Sequence, residues 1–308
     1  MAPPRTAIFY KTHPGGMPAI EDMSRTTGAR FFVDSTADGA SDAAGYGQTP
    51  DEPFATIDFA VGKCTASRGD IIYVGPGHAE NLVGATSLVV DVAGVSIIGL
   101  GSGALRPRLT YTTAAAATIS VTAANCRLEN LWLVSAFTNG VTIGISAGAL
   151  ADGLVLKDIV MQESLATQEF LIGVNIAAAC HDVTIDGFQF HGVVGGTDSS
   201  CIVFAGASDR HVVRNAFMHG DWSGAVLESD TAASLSILYE NITYYQDDAA
   251  AGLGVDTSDT STGLMINCQG LAKKEGVEGF TGNIMAYSQC YCTNVVNKQG
   301  FLLPVADA

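Results

Sequence analysis

The sequence predicts an all-β fold, a single-stranded parallel β-helix of about eight to nine coils with a short N-terminal capping helix and an extended N-terminal arm. Two observations predict it. The chain repeats itself, and each repeat holds three short strands of alternating apolar and polar residues.

The repeat shows in "CRLENLWL" at Cys126, "LVLKDIVM" at Leu154, "VTIDGFQF" at Val183, "HVVRNAFM" at His211, "ILYENITY" at Ile237 and "LMINCQGL" at Leu264. Each is a strand, a turn-forming or small residue, and another strand. The pivots Asn130, Asp158, Gly187, Asn215, Asn241 and Cys268 lie 28, 29, 28, 26 and 27 residues apart. "VSIIGLGS" extends the series upstream with pivot Gly99, and "TNVVNKQG" extends it downstream with pivot Asn297. A third strand precedes each pivot, as in "ATISVTAA", "GVTIGIS", "FLIGVNIAA", "SCIVFAG", "GAVLESD" and "TGLMIN". Such a unit cannot bury its apolar face alone. Stacked on copies of itself it can, each strand pairing with its counterpart about 4.8 Å away, which gives a rod on the order of 40 Å long.

A solenoid also needs its first coil closed, because an open end exposes an unpaired edge and an apolar interior. The segment "DEPFATIDFAVGKC" supplies a helix, with Pro53 in its first turn and Phe54, Ile57, Ala60 and Val61 on one face. The organisation expected is an arm over 1–30, a cap over 31–69 with a strand, an acidic glycine-rich loop and the helix, and coils with a C-terminal tail over 70–308.

The cap resembles the start of right-handed parallel β-helix proteins of the pectate-lyase-like superfamily. The matching residues are Phe32, Val33 and Asp34, then Pro53, Phe54, Thr56, Ile57 and Ala60, then Gly69, Asp70, Ile72, Val74, Pro76 and Gly77. The resemblance implies the fold, not one activity, since the superfamily spans lyases, hydrolases, adhesins and viral spikes.

Composition narrows the partners. The 308 residues are 47% hydrophobic and 15% charged, with a formal net charge of −16. Phosphates are repelled by such a body, so no nucleic acid is expected. No apolar run is long enough for a membrane span, and no membrane partner is expected. Residues 1–30 carry Arg5, Lys11, Arg25 and Arg30 against Glu21 and Asp22, a net of +2, which leaves −18 for the rest. A slightly basic arm on an acidic body suits assembly. Seven cysteines without framework spacing, and no secretory segment at the start, suggest free thiols and assembly in a host cytoplasm.

Candidates for chemistry are sparse. A glycosidase needs two carboxylates flanking one bond, and a lyase needs clustered acids with a cationic base. Asp247 and Asp248 form an acidic pair after "NITYY", and Asp186 and Arg214 fall one coil apart. The polygalacturonase-type order of motifs is missing around them. Read plainly, Asp247 and Asp248 are a solvated turn, and Asp186 with Arg214 is a surface ladder pair. His191 and His219 are 28 residues apart and should stack beside their glycines; no metal or other cofactor is expected. Asp34, Asp38 and Asp42 form an acidic loop without the ligand pattern of an EF-hand.

Large aromatics remain. Trp132, Trp222, Tyr239, Tyr244 and Tyr245 would serve either a sugar-stacking surface or a subunit contact, and the apolar composition favours the second. The expectation is a non-enzymatic bacteriophage virion protein, a homotrimeric capsid decoration (cement) protein whose partners are itself and the major capsid protein. Arg5, Phe9, Tyr10, Lys11 and Arg25 of the arm, with Trp132, Trp222, Tyr244 and Tyr245, are its assembly residues. The chain is also similar, at the level of fold, to β-helix proteins of tailed-phage structural modules. The alternative is a tail spike or a β-helix that degrades or binds polysaccharide.

Overall fold

A computed structural model describes residues 9–11, 18–20, 26, 28–196, 198–229, 232–248, 252–257, 260–272, 280–281, 285–294 and 301–302. Arg5 and Arg25 lie outside the described residues, as do the side chains of Phe9, Tyr10 and Lys11. Within the expected arm, Phe9–Lys11 pairs antiparallel with Pro18–Ile20.

From Arg30 onward the chain winds as a parallel β-helix with three faces. The first face runs from Arg30–Val33 through Ile71–Val74, Ser96–Gly99, Arg127–Glu129, Val155–Lys157 and Thr184–Asp186 to Met285–Ser288. The second begins at Ala79–Leu82 and continues through Arg108–Tyr111, Trp132–Ser135, Val160–Glu163 and Gln189–His191 to Tyr291–Asn294. Val212–Gly220 and Ile237–Gln246 pass through both faces without a break. Among the described residues the third face stacks eight strands, from Leu88–Val90 to Phe280–Thr281. Eight strands make about seven coil-to-coil steps, slightly fewer than the expected count.

One residue makes the corner between the first and second faces. Asn130, Asp158, Gly187, Asn215 and Asn241 all have positive φ, between 52° and 74°. Asparagine, aspartate and glycine tolerate this left-handed conformation, which is why they recur there. The corner amides bond to the next coil, as from Asn130 N to Lys157 O at 2.9 Å and Asp158 N to Asp186 O at 2.8 Å. One expected pivot moves. At the last turns the left-handed residues are Asn267 and Gln289, so Cys268 is the buried residue after the corner. Asn297 lies outside the described residues. After Gly99 the corner widens into a loop containing a short 3-10 turn, Gly103–Leu105. "TGLMIN" contributes Gly263–Ile266 to the first face, and Leu253–Thr257 is the third-face strand of that coil.

The interior is a set of in-register ladders. On the first face, Phe31, Ile72, Ile97, Leu128, Leu156, Ile185, Val213, Tyr239 and Met265 stack coil on coil and are buried. On the third, Leu88, Ile119, Ile145, Val174, Ile202, Leu227 and Val255 do the same. Each buried aliphatic side chain contributes about 1.5–3 kcal/mol.

The cap closes the first coil by a shorter helix than expected, Ile57–Val61, with Ile57, Ala60 and Val61 buried. Pro53 and Phe54 precede it in extended chain: Phe54 bridges to Val33, and Asp42 accepts the Ala55 and Thr56 amides at 2.9 and 3.1 Å. The Thr56 hydroxyl then accepts from Phe59 N as the N-cap. Buried Asp70, from the "GDIIYV" motif, accepts the Ala29 and Thr65 amides at 2.6 and 2.7 Å and so ties the cap to the first coil.

Candidate functional site

The outward rows of the faces decide where chemistry can occur. On the first face Glu129, Lys157, Asp186, Arg214 and Glu240 stand in register on successive coils, a column of alternating charge. Lys157 meets Glu129 at 2.9 Å, and Arg214 meets Asp186 at 2.9 Å. Asp186 also accepts from Asn215 at 2.8 Å. Partial burial works against its charge, yet the Asn215 and Arg214 hydrogen bonds hold its carboxyl below the usual range.

Asp247 and Asp248 are elsewhere. They follow the strand Ile237–Gln246, six residues beyond the corner at Asn241, which is roughly 20 Å along the second face at about 3.3 Å per residue. The fold therefore does not join Asp186 and Arg214 to Asp247 and Asp248 in one site.

The second face carries an outward strip of a different kind. His191, His219 and Tyr245 are in register, as are Gln189, Phe217 and Thr243 beside them. Ring centroids of His191 and Phe217 are 6.0 Å apart, those of Phe217 and Tyr245 5.9 Å, and those of His219 and Tyr245 6.3 Å. Phe217 is 37% exposed, Tyr245 40% and Tyr291 45%. Trp132 continues the row near Arg108, whose guanidinium carbon lies 6.0 Å from its ring. At the edge of the strip His219 Nε2 meets Asp247 Oδ2 at 2.6 Å. Burial, then the neighbouring His219, pushes the His191 imidazole below its ordinary range.

Of the expected aromatics, Trp132 and Tyr245 lie on this strip. Trp222 and Tyr244 do not: both point inward and are buried in the core. Strand alternation sends Ile242, Tyr244 and Gln246 inside and Tyr245 outside. Tyr244 fills space that a Cβ at Gly254 or Gly270 would occupy, its hydroxyl oxygen against the first and its ring against the second. Tyr239 is likewise buried in the first-face ladder.

In the acidic loop, Asp34 accepts from Thr36, and Asp42 holds Ala55 and Thr56. Both are structural. Among the described residues no group of three His, Cys, Asp or Glu side chains is arranged to ligate a metal. One cluster has no counterpart in the sequence reasoning. Glu163, Glu169 and Asp198 are buried together inside the corner between the second and third faces. Its signal was strand parity: in "VMQE", Met161 faces inward, so Glu163 must as well.

Among solved structures, a GH136 lacto-N-biosidase from Eubacterium ramulus aligns with 87% of this chain at 12% identity and a TM-score of 0.63. The chain spans 56% of that protein's length. A pectin methylesterase variant in complex with a hexasaccharide aligns with 87% of this chain and 90% of its own at 13% identity and a TM-score of 0.55. The likeness is one of fold. The coils deduced from the repeat form a parallel β-helix, as in these proteins, and at such identities nothing about activity follows. No family model matches the chain, and no curated protein does.

Proposed function

We propose that this β-helix is a non-enzymatic structural protein of a bacteriophage virion, a homotrimeric capsid decoration protein whose rods join along the second face. The observation that carries the reading is the strip of Trp132, Phe217, Tyr245 and Tyr291, apolar side chains turned outward along one face of a strongly acidic rod. Exposed apolar rows of this kind mark association surfaces. On the first face, by contrast, Glu129 pairs with Lys157 and Asp186 with Arg214. The N-terminal segment, slightly basic, would tie each trimer to the major capsid protein, and the protein would sit on the particle after assembly in the host cytoplasm. The test is co-purification with intact particles at a fixed copy number per capsomer. A protein found free of particles, or one that turns over a polysaccharide, would end this reading.

A second reading rests on the same strip. His219 and Asp247 place polar atoms beside the exposed rings of Phe217 and Tyr245, an arrangement suited to a neutral glycan. The lacto-N-biosidase and the pectin methylesterase share the fold and are named for action on glycans, which supports it. It predicts glycan retention that Tyr245→Ala abolishes and Asp186→Asn leaves intact.

A further inference from the structure

The buried carboxyl cluster is used by neither reading. Glu163 and Glu169 are each 4% exposed and Asp198 is 0% exposed. Glu163 accepts Phe170 N at 2.8 Å through Oε1 and Val193 N at 3.1 Å through Oε2. The other two converge under Gly196, where a Cβ would stand 2.4 Å from Glu169 Oε2 and 3.2 Å from Asp198 Oδ1. A Cβ at Gly192 would meet Glu163 Oε2 at 3.1 Å. The backbone carbonyl of Asp198 is tied to Ser223, but among the described residues no N–H or hydroxyl donates to either of its carboxylate oxygens. Two acceptor-only oxygens buried against other carboxylates are satisfied only if a proton lies between them.

The surroundings supply more negative than positive charge. The Cys201 thiol faces the cluster from the third face, and Glu228 binds the Ser200 hydroxyl beside it. Asp221 accepts Gly195 N at 2.5 Å on the outer side of the loop. His191 and His219 lie on the outside of the second face. Among the described residues no Lys, Arg or His pairs with Glu163 or Asp198. Burial, then the charges of Glu163 and Glu169, pushes the Asp198 carboxyl up to about 10, and burial pushes Glu163 up to about 7.

We propose that Glu163 and Asp198 share protons beside Glu169 and form a latch that holds the loop from Gly192 to Gly196 on the rod and releases it when the last shared proton leaves. The folded state keeps protons that the unfolded chain has lost. The latch is thus fully closed in acid and weakens as pH rises through the two values above. Once opening requires loss of one proton, each pH unit raises the opening equilibrium tenfold.

Amide hydrogen exchange across residues 188–196, corrected for intrinsic rates, tests this from pH 5 to 10 on the full chain. The wild type should show opening that steepens toward tenfold per pH unit. Asp198→Asn, whose amide donates at every pH, should reduce that slope, and Glu163→Gln with Asp198→Asn should flatten it. Infrared spectroscopy of the wild type alone guards against variants that fail to fold: a protonated carboxyl should be present at pH 7 and vanish as the loop opens. A flat wild-type profile, no protonated carboxyl at pH 7, or protection restored at pH 9 by added calcium would overturn the proposal, the last in favour of a cation site.

Discussion

Arg214 lies one coil beyond Asp186, in register with it, and its guanidinium nitrogen meets the carboxylate at 2.9 Å. The pair belongs to a column of alternating charge and is open to solvent, with side-chain exposures of 45% and 19%. Exposed pairs contribute little, so a double-mutant cycle of Asp186→Asn and Arg214→Gln should give a coupling of about 1 kcal/mol or less. A coupling several times larger in urea unfolding would mean that this pair does more than space adjacent coils.

The corner line makes a sharper demand. Asn215 has φ of 53°, donates from Nδ2 to Asp186 at 2.8 Å, and accepts from Asn241 at 3.2 Å. Asn215→Ala forces a Cβ residue without local hydrogen bonding into the left-handed region, at a cost of about 1–2 kcal/mol. Asn215→Gly keeps the conformation and loses only the side-chain bonds, so it should fall between wild type and Ala in stability. An Ala variant as stable as wild type would contradict the account of the corner.

His211 should make the rod sensitive to acid. It is fully buried, stacked on Phe204 at 4.6 Å, with Nδ1 accepting Val183 N and, among the described residues, no partner for Nε2. Burial, with the nearby His181, pushes its pKa down to about 4. The unfolded chain, near 6.5, binds the proton first, so stability falls as pH drops from about 6.5 to about 4, by roughly 3 kcal/mol in all. The carboxyl cluster acts in the opposite sense, so the measurement is the difference between wild type and His211→Gln. That difference should shrink as pH falls through the window, and a constant difference would refute the assignment.

These residues also show what the sequence could and could not disclose. Asn130, Asp158, Asn215 and Asn241 were legible because a left-handed corner restricts its occupant to a few residue types. The corner at Asn267 was misplaced by one residue because Cys268, small and buried, reads equally well as a turn. Tyr244 and Tyr245 looked like a pair, but neighbours on a strand cannot share a side, and the corner at Asn241 sets which turns in. Glu163 was overlooked for the reverse reason: its charge argued for solvent while its parity placed it inside.

The N-terminal segment should be separable from the rod. Thr26 is tied to the first coil through its hydroxyl, which donates to Gly69 O and accepts from Gly28 N. Deleting residues 1–25 spares that clasp, so the truncated protein should unfold at the same urea concentration as wild type while losing attachment to particles. Normal decoration by the truncated protein would rule out the arm as a tether.

The central claim is that the outward strip of the second face joins copies of this chain. Light scattering on the purified protein measures it directly. The account predicts a mass three times 31.8 kDa for the wild type and a folded monomer for Phe217→Ser with Tyr245→Ser. A monomeric wild type at assembly concentrations, or a trimer that survives both substitutions, would contradict it.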